Sequence, residues 1–199
     1  MSTDLLSSSA GLTRLARALS TGRGLFETRD LVTIGLFAGA AKASTVILAL
    51  AGGGMNPVTM ILKSLVFSAL WVVLLIKVPK TGALTLANTV AGLLGFFLLG
   101  QAMISLPSLI AATLATEMLI LGLGGLKKRP WLAAPAVALS ELAMRLVNLF
   151  FSYLGAREQP GLVIMVLIIS AFSYIGILLG LAAGLKMARE LRHAGLIQD

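Results

Sequence analysis

Five ionisable side chains interrupt long apolar runs in this chain: Lys42, Lys63, Glu117, Glu141 and Arg145. A charge in the middle of a bilayer costs about 2.5–3.5 kcal/mol even on the lenient scale, so each of these side chains needs a partner or a wet cavity. Glu141 and Arg145 are four residues apart, which sets them on one face of a helix where they can pair. Lys42 and Glu117 each fall near the middle of a run and could neutralise each other across two helices. Lys63 stands under two turns from the start of its run. It either snorkels to the headgroups or faces a pocket, which Asn56, Gln101, Arg145, Asn148 and Arg157 would complete from the same side of the membrane. Three cations stand against two anions within the runs, and this balance favours a ligand with an anionic group.

The chemistry on offer is binding. Neither a P-loop nor an HExxH pair is present, and the GxSxG elbow is missing as well. The single histidine, His193, lies in the polar C-terminal stretch, there are no cysteines, and no two carboxylates have the spacing of an acid–base pair. The expectation is a protein that is not an enzyme and carries no catalytic residue, metal or cofactor.

The elements that must position these residues follow from composition. Of 199 residues 58% are apolar and 12% are charged, and the mean hydropathy is +0.98. A soluble globule of this length still exposes roughly a quarter to a third of its unfolded area, too much to hide that apolar surface from water. The runs are continuous rather than alternating, which selects helices over a barrel. Six spans are expected, at about residues 30–50, 57–76, 82–104, 107–126, 131–154 and 162–187. They form a membrane domain over 30–187, preceded by an arm over 1–29 and followed by a polar tail over 188–199. In the arm, Leu12, Leu15 and Leu19 recur among Arg14, Arg17 and Arg23, a pattern that reads as an amphipathic surface helix rather than a cleavable signal.

The net charge of +8 supplies the orientation. Twelve of the sixteen basic residues fall in the arm, the second-to-third loop, the fourth-to-fifth loop and the C-terminal stretch from Lys186 onward, and Arg157 alone falls in a loop on the other side. That asymmetry predicts both termini in the cytoplasm. It also accounts for the basic pI as lipid-facing topology signals rather than a nucleic-acid surface, because basic and aromatic residues are not interleaved. Trp71, Trp131, Tyr153 and Tyr174 are expected as interfacial anchors. In the first span Gly35, Gly39 and Ala43 are four apart. Small residues so spaced let a helix approach closely, either a neighbour in the same chain or another protein.

Several stretches together resemble a known family. The basic arm, a first span beginning DLVTIGLFAGAAKAS, a Gly-rich first external loop and KVPKTGAL leading into the third span resemble an S component of an energy-coupling factor (ECF) vitamin transporter. The similarity is to its treponemal and streptococcal, MptD-like subgroup. The resemblance implies a six-helix subunit of a bacterial plasma membrane that binds a vitamin or similar micronutrient near its extracellular face. It implies an EcfT-like transmembrane coupling protein and two cytoplasmic ATPases as partners. The first helix would dock on the coupling protein through small residues, matched here by Gly35, Gly39 and Ala43, and the subunit would topple to deliver its cargo. The rival reading is a stand-alone proton-coupled transporter of a small organic solute, with Glu117 or Glu141 carrying the proton.

Overall fold

The computed structural model describes residues 26–52, 56–100, 105–126, 129–155 and 160–194. Six α-helices fill almost all of this: α1 (Thr28–Gly52), α2 (Pro57–Lys77), α3 (Ala83–Leu99), α4 (Ser105–Gly122), α5 (Ala133–Gly155) and α6 (Pro160–His193). A 3₁₀ turn at Pro130–Leu132 leads into α5, and there is no strand among the described residues. Among the described residues four helical segments are long and apolar enough to cross a membrane: Thr28–Gly52, Pro57–Lys77, Pro130–Phe151 and Ile164–His193. The third and fourth helices are apolar but shorter, spanning about 25 Å and 27 Å at 1.5 Å per residue, near the lower limit for a bilayer.

Local chemistry sets the helix ends. Asn56 caps α2, its side-chain Oδ1 accepting from Val58 N at 3.0 Å, and Pro57 takes the first helical position, where its missing N–H costs nothing. The same helix stops at Lys77, before Val78 and Pro79. Gly100, with φ of +61°, ends α3 through a bond from its N–H to Phe96 O, a left-handed cap that glycine adopts without strain. The last helix runs on through Arg189 and Arg192 to His193, so the polar residues from 188 to 193 continue the helix.

The helices close a ring in which α1 packs on α3, α3 on α4, α4 on α5, α5 on α6, α6 on α2 and α2 on α1. The second helix also reaches across to α5. The α2–α6 contact is the most extensive. A Cβ on Gly176, Gly180 or Gly184 would stand under 3.0 Å from the α2 backbone at Ile61, Leu65 and Ala69 respectively. Ser68 Oγ donates across the same contact to Ile177 O at 3.2 Å. In lipid, helices gain little from hydrophobicity alone, so close approach through small residues carries the association.

The dense core occupies the half of the ring that holds the start of α1 and the end of α6. There Ile34, Ala38 and Ala41 of α1 meet Trp71–Leu75 of α2, Ala83, Leu84 and Ala87 of α3, and Ala133, Ala136 and Val137 of α5. A polar clasp closes this end: Lys80 Nζ binds Asp30 Oδ2 at 2.6 Å, and Asp30 Oδ2 also accepts from Glu27 N at 3.0 Å. The hydrogen bond to Asp30 holds the Lys80 ammonium above the usual lysine range. DLVTIG and KVPKTGAL, distant in sequence, are thus joined through their charged residues. Apolar side chains such as Val32, Leu36, Phe97 and Met118 cover the outside.

Candidate functional site

The other half of the ring, toward the α1–α2, α3–α4 and α5–α6 connections, is hollow. A cavity of about 430 Å³ opens there, within the range of small-molecule sites. Lys42 and Thr45 of α1 form part of its wall, with Lys63, Ser64 and Phe67 of α2, Asn88, Ala91, Gly92 and Phe96 of α3, Leu106 and Leu109 of α4, Glu141, Met144 and Asn148 of α5, and Ile177 of α6. Every helix of the ring contributes. Such a site exists only when the ring is assembled.

The polar groups of the wall are held from behind. Asn88 is buried, and its Oδ1 accepts from Trp71 Nε1 at 3.1 Å, leaving its amide hydrogens for other acceptors. Phe67 stacks on Trp71, with ring centroids 4.3 Å apart, so the cavity's aromatic wall rests on a fully buried indole. Glu141 is bound by Arg145, Nη1 to Oε2 at 2.8 Å, and Arg145 is turned away from the cavity. It lines a separate, nearly apolar hollow between α5 and α6 with Leu142, Leu146, Leu149 and Tyr174. The Lys42 and Glu141 charges lie close enough to attract. Among the described residues the wall carries two lysines against one carboxylate that Arg145 already bridges, so an anionic group would meet ammonium groups from α1 and α2.

Several expectations are changed by these positions. No ion pair joins Lys42 to Glu117 among the described residues. Glu117 is buried at the start of α3, where Oε1 accepts from Leu84 N at 2.9 Å and from Thr85 N at 3.1 Å, and Oε2 accepts from the Thr85 hydroxyl at 2.9 Å. Gly82, the residue before this helix, has no side chain to cap it, so a carboxylate from α4 satisfies the first-turn N–H groups instead. Asn56 caps α2 and does not line the cavity. Arg145 reaches the site only through Glu141. Lys63 and Asn148 do line it, while Gln101 and Arg157 lie outside the described residues, as does the arm through residue 25. Trp71 is no interfacial anchor, being fully buried, whereas Trp131 is 64% exposed.

Sequence reasoning missed Asn88, Thr45, Ser64 and Phe67. For Asn88 a signal was present, an amide in the middle of the apolar run ALTLANTVAGLL. The α6 stripe Gly176, Gly180 and Gly184 was equally visible. Of the two small-residue stripes it is the one consumed inside the chain. On α1 a Cβ at Gly35 or Gly39 would meet no described residue within 4 Å, and Ala43 is exposed, while Ile34, Ala38 and Ala41 turn inward.

A family model for hypothetical bacterial integral membrane proteins, Trep_Strep, matches residues 28–159, from the start of α1 into the α5–α6 connection. No curated protein and no solved structure matches the chain. With two thirds of its length under that model, and apolar helices arranged around a polar hollow, the chain belongs to the Trep_Strep family of bacterial integral membrane proteins.

Proposed function

We propose that this protein is the membrane-embedded substrate-binding subunit of an ATP-driven, ECF-type importer in the bacterial plasma membrane, and that its cargo is a small organic micronutrient bearing an anionic group. The observation that carries the reading is the cavity of about 430 Å³ with Lys42 and Lys63 on its wall. In this reading all six helices span the bilayer and both termini are cytoplasmic, as the twelve-to-one split of loop and terminal basic residues favours. The cavity then lies in the extracellular half, where cargo arrives. ATP is hydrolysed by two partner ATPases, and the chain performs no catalysis itself. The outward stripe of Gly35, Gly39 and Ala43 offers the coupling protein a face that no described helix occupies.

Native mass spectrometry of the purified protein tests the binding role: a small acidic molecule should travel with it and be lost from Lys63→Gln and Lys42→Gln. The proton-coupled alternative rests on Glu141, the one carboxylate on the cavity wall among the described residues, since Glu117 serves as a helix cap. Vesicles holding the chain alone separate the two. Solute uptake driven by a proton gradient without any ATPase would overturn the importer-subunit reading.

A further inference from the structure

At the end of the ring where α1 starts, a second hollow of about 200 Å³ lies between the end of α2, the 3₁₀ turn and the end of α6. Ile76, Leu185 and Ala188 give it an apolar floor, and Trp131, Arg189 and Arg192 its rim. No acidic side chain lines it among the described residues, and Arg189 enters no ion pair there. The two arginines are three apart on one helix, so their guanidinium groups project on the same side. With 34 residues α6 is about 51 Å long, well beyond the roughly 30 Å of a hydrocarbon core, so its polar last turns reach the headgroup layer. Trp131, largely exposed, stands at that same level, where indole rings favour the boundary.

We infer that this hollow is a binding site for an anionic phospholipid. The phosphate sits between Arg189 and Arg192, whose planar forks suit phosphate oxygens, with the glycerol against Trp131 and the first acyl carbons over Ile76 and Leu185. The charge complementarity selects an anionic lipid. The apolar floor, continuous with the lipid-facing surface, selects a lipid over a free phosphate. Neither feature serves the cavity at the other end of the ring.

The two tryptophans make the test direct, because Trp71 is fully buried and Trp131 is exposed. The full-length protein is reconstituted in phosphatidylcholine nanodiscs doped with phosphatidylglycerol, one lipid at a time carrying brominated acyl chains, and tryptophan quenching is followed. Trp131→Phe supplies the Trp71 background. Brominated phosphatidylglycerol should quench Trp131 at a several-fold lower mole fraction than brominated phosphatidylcholine. Each of Arg189→Gln and Arg192→Gln should reduce that preference about fivefold, as expected for one interfacial charge. The double lysine variant should keep much of it. Lys77→Gln removes a charge at the exposed end of α2 outside the hollow and should leave the preference nearly intact. Circular dichroism confirms that each variant keeps its helix content. Equal quenching by both lipids, or an equal loss in Lys77→Gln and Arg189→Gln, would overturn the site. Full recovery of fluorescence on adding millimolar inorganic phosphate would also overturn it, since the hollow would then hold a soluble anion.

Discussion

The capping of α3 by Glu117 gives a sharp prediction, because the same carboxylate is a proton carrier in the rival reading. Glu117 accepts three hydrogen bonds, two of them from backbone N–H groups at the first turn of a helix whose own cap, Gly82, has no side chain to offer. Bonds to a charged acceptor contribute about 1.5–3 kcal/mol each, against about 0.5–1.5 for a neutral one. A negative charge at a helix N-terminus adds roughly 0.3–1 kcal/mol. Glu117→Gln keeps the shape and one oxygen for Leu84 N and Thr85 N but loses the charge, and the Thr85 hydroxyl must turn to accept from the new amide. The net cost should be about 2 kcal/mol, which lowers Tm by roughly 4–8 °C in a chain of this size. Glu117→Ala leaves the buried Leu84 N–H and the part-buried Thr85 N–H without an acceptor and should cost more, about 2–6 kcal/mol. Thermal unfolding of purified protein in mild detergent, followed by far-UV circular dichroism, reads both values, and ligand affinity is measured on the same samples at a temperature where each is folded. Ligand affinity should be unchanged, since Glu117 does not line the cavity. If Glu117→Gln leaves Tm within a degree of the parent but removes a pH dependence of uptake, the carboxylate is a transport group and the capping argument fails.

Three further outcomes follow from the geometry. Lys63→Gln and Lys42→Gln should each weaken binding of the co-purifying acidic solute about 10- to 100-fold, the loss of one charge-assisted bond, read by isothermal titration calorimetry. Asn56→Ala should cost about 1 kcal/mol of stability through the lost α2 cap yet leave that affinity intact. The two glycine stripes should respond oppositely. Gly39→Leu should be nearly neutral for the isolated protein, as no described residue stands within 4 Å of its Cβ position, while lowering co-purification with the proposed coupling protein. Gly180→Leu should destabilise by about 3 kcal/mol, the upper end for overpacking, because α2 stands in the way.

Much of the molecule is legible in its residues alone. The apolar runs and their breaks at Pro57, Pro79 and Pro130 locate most helix ends to within a few residues, although α3 stops at Leu99 rather than at 104 and α6 runs on to His193 rather than stopping at 187. The Glu141–Arg145 pair forms as its spacing implies, because two residues one turn apart on a helix meet whatever surrounds them. Lys63 and Asn148 reach the cavity. Asn56 and Glu117 went elsewhere for the same reason as each other: both lie where a helix begins, and bare N–H groups there compete for any nearby oxygen.

Partnership between helices is what the sequence leaves open. In a soluble protein the apolar stripe of a helix marks its buried face. Here lipid is as apolar as the interior, so Leu36 facing out and Leu74 facing in look alike in sequence. The stripe on α1 and the stripe on α6 have the same spacing, yet among the described residues one is open and the other is filled by α2. By itself the sequence determined the class of the protein, its helices and the excess of positive charge within them, since those depend on composition and local spacing. Only the tertiary structure decided that Glu117 belongs to the N-terminus of α3, that Trp71 and Asn88 hold each other behind a cavity, and that Lys42 and Lys63 share its wall. Those facts depend on which helices stand side by side, and in a bilayer that is set by shape and by scattered polar groups rather than by any hydrophobic pattern along the chain.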